Sequence, residues 1–235
     1  MLASEQKNGL LHPEGLLGKQ FLKLTKIFKL WVLRDPKVIA IQRWRKYYRH
    51  TNILHDFPLD EHSVVFDVGG YRGDYAQTIT ACYGSQVYLF EPSKPFFDHC
   101  QRRFAADASV TCLNYGLSDK NVRVGLSREG DGSSVYSSSE AGLELIQLHK
   151  FSEVVEGLEV QTIDLMKLNI EGGEFPVLND MISSGSLSKV KRLLIQFHDF
   201  YPNAEAEREA IRDELQKTHR ELWCEFFLWE CWERL

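Results

Sequence analysis

The sequence has few cysteines and no arrangement of them that would bind zinc. Five cysteines occur in 235 residues, their number is odd, and no two form a C-x-x-C pair. This excludes a disulfide framework and indicates free thiols in a reducing compartment. The sequence also lacks the apolar core of a signal peptide and any apolar run that approaches the length of a membrane span. We therefore expect a cytoplasmic protein.

The chain does not have the strong positive charge of a nucleic-acid-binding protein, since its net charge is −5. Residues 16–50 are nevertheless basic, with ten Lys or Arg and one acid. Helical spacing of apolar residues predicts two amphipathic helices, over 19–33 and from Pro36 to about 50, the second capped by Asp35. Their apolar faces are expected to pack on the main domain or in a homodimer. Contact of 16–50 with an anionic membrane or a polyanionic glycan is the alternative.

One stretch, VVFDVGGYRGD at residues 64–74, has the pattern of a strand, a glycine loop and a helix. The apolar start predicts a buried parallel strand that Asp67 closes. Gly69, Gly70 and Gly73 allow a sharp turn and the close approach of a ligand. Asp74 is predicted to cap a helix over 75–83. Together these elements indicate a cradle for a nucleotide-type ligand.

The details of the loop indicate which nucleotide it suits. The pattern is D-x-G-x-x-x-G and not the G-x-G-x-x-G of dinucleotide sites. Asp67, an anion before the loop, favours a ligand with a cationic amine, such as S-adenosylmethionine. Glu91 ends the next predicted strand, 18 residues after Gly73, close to the roughly 20 expected of a carboxylate that binds ribose hydroxyls. A generic doubly wound domain whose acids only cap strands is the alternative.

Further strands and helices alternate along the rest of the chain. Strands are predicted over 110–114, 122–126, 158–163, 165–170 and 190–197, and one strand or a pair over 223–232. Helices are predicted from about 95, over 174–184 and over 204–222, with part of 140–156 helical. Because ligands bind outside the carboxyl ends of strands in such sheets, Asn169, Glu171 and Gly172 are expected near the reacting group. The aromatic C-terminus is expected either to line the acceptor pocket or to form an edge of the sheet.

Four segments in this order, FDVGGYRGD, LFEPSKPFF, LNYGLSD and LMKLNIEGGEFPVL, resemble the FkbM family of S-adenosylmethionine-dependent methyltransferases. The resemblance covers about residues 63–200. It implies a Rossmann-like, seven-stranded class I methyltransferase sheet with helices on both faces, in residues 61–235, after a helical extension in 1–60. It also implies methyl transfer to a hydroxyl, often of a sugar or polyketide, and we expect a sugar or glycan as acceptor. The resemblance further implies a lid over the cofactor at 130–136, where a surface turn is the alternative.

The expected cofactor contacts lie at the ends of the first three strands: Asp67, Gly69, Gly70, Gly73, Glu91, Pro92, Ser93, Asn114, Gly116 and Leu117. The resemblance places the turn at 114–119 beside the adenine. It also shows a departure, since Asn169 stands where the family often has Asp.

His198, at the end of a predicted strand, is the best candidate for a general base. The alternative is that it binds backbone groups or orients Asp199. Glu171 is the second candidate, and Asn169 is expected to hydrogen-bond the substrate or the cofactor. A divalent metal held by Asp199 with Asn169 or Asp164 is an alternative that we do not favour.

Two other classes of function compete with an O-methyltransferase. A non-catalytic module that keeps the fold for binding or assembly would explain Asn169, although Asp67, Glu91 and the glycines argue against it. A nicotinamide-dependent oxidoreductase would need the glycine pattern that is missing here.

Overall fold

The computed structural model describes residue 25 and residues 33–48, 50–126 and 144–235. The chain divides into two units, residues 1–51 and 52–235. Most of the predicted helix over 19–33 and all of the predicted lid at 130–136 lie outside the described residues. No helix in the described ranges is both long enough and apolar enough to cross a membrane.

In the first unit, helix α1 (Pro36–Arg43) begins where the sequence predicts. Oδ1 of Asp35 accepts hydrogen bonds from the backbone N–H groups of Lys37 and Val38, at 3.0 and 3.1 Å. Pro36 occupies the first turn, where its missing N–H costs nothing. The α-helix is shorter than predicted, because the backbone continues as a π-helix (Trp44–Tyr48).

The described residues of the second unit form ten strands in two sheets. They are β1 (Val64–Val68), β2 (Gln86–Phe90), β3 (Val110–Leu113), β4 (Gly116–Ser118), β5 (Val122–Leu126), β6 (Glu144–Lys150), β7 (Leu165–Leu168), β8 (Arg192–Ile195), β9 (His219–Glu225) and β10 (Trp229–Arg234). The large sheet has seven strands in the order β3-β2-β1-β7-β8-β10-β9, and the small one has the order β4-β6-β5. In the large sheet β10 is antiparallel to both its neighbours, and the remaining pairs are parallel.

Where the structure describes this unit, five α-helices accompany the strands: α2 (Asp74–Tyr83), α3 (Lys94–Arg103), α4 (Phe151–Gly157), α5 (Glu174–Ser184) and α6 (Ala204–Leu215). Alternate residues of the central strands enter two separate apolar clusters. Val65 packs with residues of α2 and α3, whereas Phe66 packs with residues of α4, α5 and α6. Because neighbouring strand residues point to opposite faces, helices cover both faces of the sheet. The predicted fold class is confirmed.

The order of the strands fixes where a ligand can enter. The chain moves outward from β1 to β3 and then returns to place β7 on the other side of β1. The crevice outside the carboxyl ends of β1 and β7 is therefore the topological switch point, where open α/β sheets bind ligands.

Several local predictions are wrong. Gly73 (φ +81°), and not Asp74, is the cap of α2, and Asp74 pairs instead with Arg103. Residues 158–163 contribute only an isolated bridge from Ile163 to Val190. Helix α6 ends at Leu215, because residues 219–225 pair with β10.

The C-terminal prediction of a strand pair is confirmed, and its central aromatic residue is structural. Trp232 lies in β10, is completely buried, and packs in the core cluster on the α5 and α6 face. Its indole Nε1–H donates a hydrogen bond to Oε2 of Glu230 at 3.1 Å. The pocket-wall interpretation therefore does not fit Trp232, which is a core residue. Of the two strands it is β9 that forms the edge of the sheet, because β10 lies between β8 and β9.

Candidate functional site

The glycine loop after β1 turns within hydrogen-bonding distance of the neighbouring strand. The N–H groups of Gly69 and Gly70 both donate to the carbonyl of Phe90, at 3.1 Å. Gly69 has φ +83°, and a Cβ there would lie 2.1 Å from the carbonyl oxygen of Asn169. Only glycine fits, because the loops after β1 and β7 meet at this point. The loop thus forms the floor of the crevice at the switch point.

Asp67, at the end of β1, has an internal cation as its partner. Nζ of Lys167 in β7 donates to Oδ1 of Asp67 at 2.9 Å and to the carbonyl of Gly69 at 2.7 Å. Both side chains of the ion pair are buried. Oδ2 of Asp67 is also buried and has no hydrogen-bond partner among the described residues. Lys167 therefore binds one carboxylate oxygen of Asp67, and the other oxygen remains available to accept a hydrogen bond from a ligand.

Glu91, after β2, holds the loops on either side of it. Its Oε2 accepts the N–H of Tyr71 and its Oε1 accepts the N–H of Ser93, both at 2.8 Å. Burial raises the pKa of the Glu91 carboxyl to about 7, although these two hydrogen bonds act in the opposite direction. Each carboxylate oxygen can accept a second hydrogen bond, so Glu91 can still bind a diol.

The predicted adenine side follows β3. The Nδ2 of Asn114 donates to the carbonyls of Glu91 and Pro92 at 3.1 and 3.2 Å, which ties this turn to the end of β2. Gly116 lies beside Pro92, because a Cβ on Gly116 would be 3.4 Å from Cγ of Pro92. Leu117 is buried in the core. The structure thus brings Asn114, Pro92 and Gly116 together and uses the side chain of Leu117 for packing.

Ser93 occupies the cap position of α3, but its hydroxyl does not cap the helix. The Oγ–H donates to Oε2 of Glu144 at 2.9 Å, and Oε1 of Glu144 accepts the N–H of Lys94 at 2.6 Å. Glu144, in the small sheet, therefore supplies the cap and holds the segment that follows Glu91.

His198 follows β8 and lies between two carboxylates. Its Nδ1 is 3.0 Å from Oε1 of Glu174, and its Nε2 is 3.5 Å from Oε2 of Glu171. Burial alone would lower the pKa of the imidazole, but the two facing carboxylates, Glu171 and Glu174, outweigh it and raise the pKa to about 9. The ring is thus protonated near neutrality in the free protein.

Asn169 and Asp164 lie at opposite ends of β7, and this arrangement tests the hypothesis of a metal site that includes Asp164. The backbone N–H of Asn169 donates to the carbonyl of Val68 at 3.2 Å, at the carboxyl edge. Asp164 accepts the N–H of Val64 at 2.8 Å, at the amino edge. The two residues are five positions apart along an extended strand, which corresponds to about 16 Å. Asp199 follows β8 and so lies at the carboxyl edge. A metal held by Asp199 with Asp164 is therefore wrong, whereas a metal held by Asp199 with Asn169 stays a prediction.

Sequence reasoning missed two residues of this edge, Lys167 and Glu174. Lysine in the apolar strand LMKL was a signal for a buried acidic partner, because a lysine is rarely buried unless it is paired. Glu174 had no such signal. It begins α5, where an acid is common in any helix.

One cluster of metal-ligand type lies elsewhere, at Glu221, Cys224 and Glu230. Two guanidinium groups already neutralise it. Arg208 donates to Oε1 of Glu230 at 2.8 Å, and Arg212 donates to Oε2 of Glu230 and of Glu221 at 2.6 and 2.7 Å. Burial raises the pKa of the Cys224 thiol to about 11. The cluster is an ion network and not a metal site.

Comparison with known proteins agrees with this picture. The model of the methyltransferase FkbM domain matches residues 67–222. Hexuronic acid methyltransferase AglP of Haloferax volcanii is 27% identical over 141 residues, which are 59% of this chain and 57% of AglP. The chain thus spans less than two thirds of this curated relative.

Two solved structures illustrate the structural similarity. An rRNA methylase from Streptococcus thermophilus is 13% identical, with a TM-score of 0.46 over 75% of this chain and 89% of that one. SMU.1697c from Streptococcus mutans, in complex with SAH, is 10% identical, with a TM-score of 0.44 over 75% of this chain and 91% of that one.

Proposed function

The chain belongs to the FkbM methyltransferase family, and from that premise we propose that it transfers a methyl group from S-adenosylmethionine to a hydroxyl of a sugar or glycan. The observation that carries the proposal is the grouping of the glycine loop, Glu91 and the His198–Glu174 pair at one edge of the sheet. A methyltransferase needs a cofactor cradle and a proton acceptor side by side, and this edge offers both.

The residues present fit S-adenosylmethionine. Gly69 lets the loop pack directly against the backbone after β7, where a Cβ would collide with the carbonyl of Asn169, and Glu91 offers carboxylate oxygens to the ribose hydroxyls. The buried Oδ2 of Asp67, which has no partner among the described residues, suits the cationic amine. The adenine would be bordered by Pro92, Ser93, Asn114, Gly116 and the backbone of Leu117.

The protein's own contribution to the reaction is positioning and proton transfer. When bound, S-adenosylmethionine supplies a methyl group that is already activated as a sulfonium. Alignment of the acceptor oxygen with that methyl is worth about 7–11 kcal/mol of the barrier, and a positioned base contributes about 10²–10⁴-fold. Glu174 fixes the Nδ1 side of His198. Nε2 is then the atom that takes the hydroxyl proton, with Asn169 as a hydrogen-bonding neighbour.

The proposed acceptor class rests on the relative. AglP acts, by its name, on a hexuronic acid, which supports a sugar acceptor for this chain. The relative's name does not say which oxygen is methylated, so transfer to a hydroxyl is part of the proposal.

Calorimetric titration with S-adenosylhomocysteine tests the cofactor. We expect wild type to bind and Glu91→Gln to lose affinity by about 10–150-fold, since a hydrogen bond to a charged group is worth about 1.5–3 kcal/mol. Glu205→Gln is the matched control, because it removes the same charge from an exposed position of α6. Absence of binding by folded wild type would instead favour a non-catalytic binding module.

A radiolabelled methyl assay tests the acceptor. Transfer of label from S-adenosylmethionine to a hexuronic acid glycoside or a neutral hexose glycoside, in a product that resists mild alkaline ester hydrolysis, would support an ether at a hydroxyl. A product that alkali hydrolyses would place the methyl on a carboxylate and overturn the hydroxyl part of the proposal.

A further inference from the structure

The two carboxylates that contact His198 are held in different ways. Glu174 is completely buried, its Oε1 accepts the backbone N–H of His198 at 2.8 Å as well as contacting Nδ1, and its Oε2 accepts the N–H of Gly172 at 2.9 Å. These bonds tie the start of α5 to the segments after β7 and β8. Glu174 therefore cannot leave the imidazole without breaking the local backbone structure.

The side chain of Glu171 is more accessible than that of Glu174. A quarter of its side chain (26%) is exposed, and Oε2 lies 3.5 Å from Nε2 of His198, beyond the usual range of an N–H···O hydrogen bond. Its backbone has φ +50°, in the left-handed region that residues other than glycine rarely adopt. Such outliers mark positions where a particular side-chain placement is maintained at a cost in conformational energy. Here the placement directs a carboxylate at Nε2.

The position of Glu171 conflicts with the role of Nε2 as a proton acceptor. An imidazole between two carboxylates keeps both ring protons, and a protonated Nε2 cannot accept another. The carboxylate and an acceptor hydroxyl would also compete for the same side of the ring. One of them has to leave before proton transfer.

We propose that Glu171 is a displaceable cap on Nε2 of His198, which the acceptor replaces when it binds, so that His198 becomes a base only when an acceptor is present. This inference rests on the function proposed above. Loss of the cap lowers the pKa of the ring and so favours release of the Nε2 proton to solvent. The acceptor hydroxyl then gives its proton to Nε2 while its oxygen forms the bond to the methyl carbon, and the methyl–sulfur bond breaks with its electron pair left on sulfur.

The charged groups described around His198 allow this to be tested. Glu174 faces the ring from α5 and Glu171 faces it from the loop after β7. On its own segment, Phe200 lies 5.3 Å from the ring centre and carries no charge, and the adjacent Asp199 is exposed. The substitution Glu171→Gln therefore removes the charge that faces Nε2 and leaves the contact of Glu174 with Nδ1 in place.

The experiment is an NMR titration of the histidine imidazoles in the ligand-free full chain. The His198 signal among the eight histidines is assigned by its absence from His198→Gln. In Glu171→Gln, which keeps the side-chain shape, we expect the pKa of His198 to fall by about one unit or more, the effect of one adjacent opposite charge. In the exposed control Glu205→Gln it should stay at the wild-type value. A fall of less than about 0.3 units in Glu171→Gln would overturn the cap.

Activity then tests whether the acceptor displaces the cap. The substrates are the methyl glycoside of glucuronic acid and labelled S-adenosylmethionine. The kcat/KM of wild type should rise towards alkaline pH, and the kcat/KM of Glu171→Gln should reach its plateau at a lower pH. Identical profiles in the two proteins would overturn the coupling. If wild type transfers no label to this or a neutral glycoside, the proposed function fails while the NMR titration still decides the cap.

Discussion

The ion pair of Asp67 and Lys167 gives the sharpest prediction about stability. Both side chains are buried, at 0% and 7% exposure, and the ammonium also donates to the carbonyl of Gly69. Asp67→Asn keeps the shape of the side chain but leaves the Lys167 charge in the interior without a counter-charge. Lys167→Met does the reverse, because it leaves the Asp67 carboxylate without its cation.

The magnitude follows from what remains in each variant. Removal of one partner of a buried pair typically costs about 3–5 kcal/mol, because the other charge stays uncompensated. Asp67→Asn and Lys167→Met should each lower the free energy of unfolding by that amount. The double variant contains no buried charge here, so it should be destabilised by no more than either single variant. The resulting coupling energy is at least about 3 kcal/mol.

Urea unfolding followed by tryptophan fluorescence measures these values, since the fully buried Trp232 reports on the core. Lys217→Met is the control, because its partner Glu214 and Lys217 itself are both exposed and such a pair is worth under about 1 kcal/mol. The prediction that each charge stabilises the other would be refuted by either of two results. One is a double variant whose loss of unfolding free energy equals the sum of the two single losses, and the other is a single loss below about 1 kcal/mol.

Three further predictions concern the site. Because burial raises the pKa of Glu91 to about 7, the carboxylate charge is present above that pH and lost below it. The affinity for S-adenosylhomocysteine, measured by calorimetry, should therefore increase about tenfold per pH unit up to pH 7 and level off by about pH 8. A flat profile in wild type would contradict this. Gly69→Ala should abolish binding and lower the melting temperature, because its Cβ would meet the carbonyl of Asn169 at 2.1 Å, whereas Gly157→Ala, with nothing within 4 Å, should not lower it. By NMR, bound S-adenosylmethionine should lower the pKa of His198 more than S-adenosylhomocysteine does, because only the former carries the sulfonium charge; equal shifts would place the imidazole far from the methyl.

Local patterns in the sequence predicted the elements that local chemistry determines. Asp35 and Pro36 marked the start of α1, and the helix 174–184 was predicted with both ends correct, since Gly185 has the left-handed conformation that ends it. The small sheet was only partly predicted. Residues 144–150 form β6 because they pair with β5 across a long connection, and no local pattern encodes that pairing.

The site was predictable where single residues carry a signal and not where two strands must first be placed side by side. Asp67 and Glu91 stand out because each ends a strand beside a glycine loop or a proline. Lys167 is the partner of Asp67 only because β1 and β7 are neighbours in a register that places these two residues opposite each other, 100 residues apart. Glu174 likewise meets His198 only after α5 and the end of β8 are packed together.

The charges of the carboxyl edge indicate what kind of ligand it is prepared for. Lys167 offsets Asp67, and the imidazolium of His198 offsets Glu174. Glu91 is different, because none of the ion pairs among the described residues includes it and its pKa is raised by burial. A ligand that donates hydroxyl groups to Glu91 and brings positive charge to this edge would stabilise the ionised carboxylate that the protein alone stabilises poorly. A ribose diol on a cationic sulfonium compound has both properties, whereas a pyrophosphate would add negative charge beside Glu91.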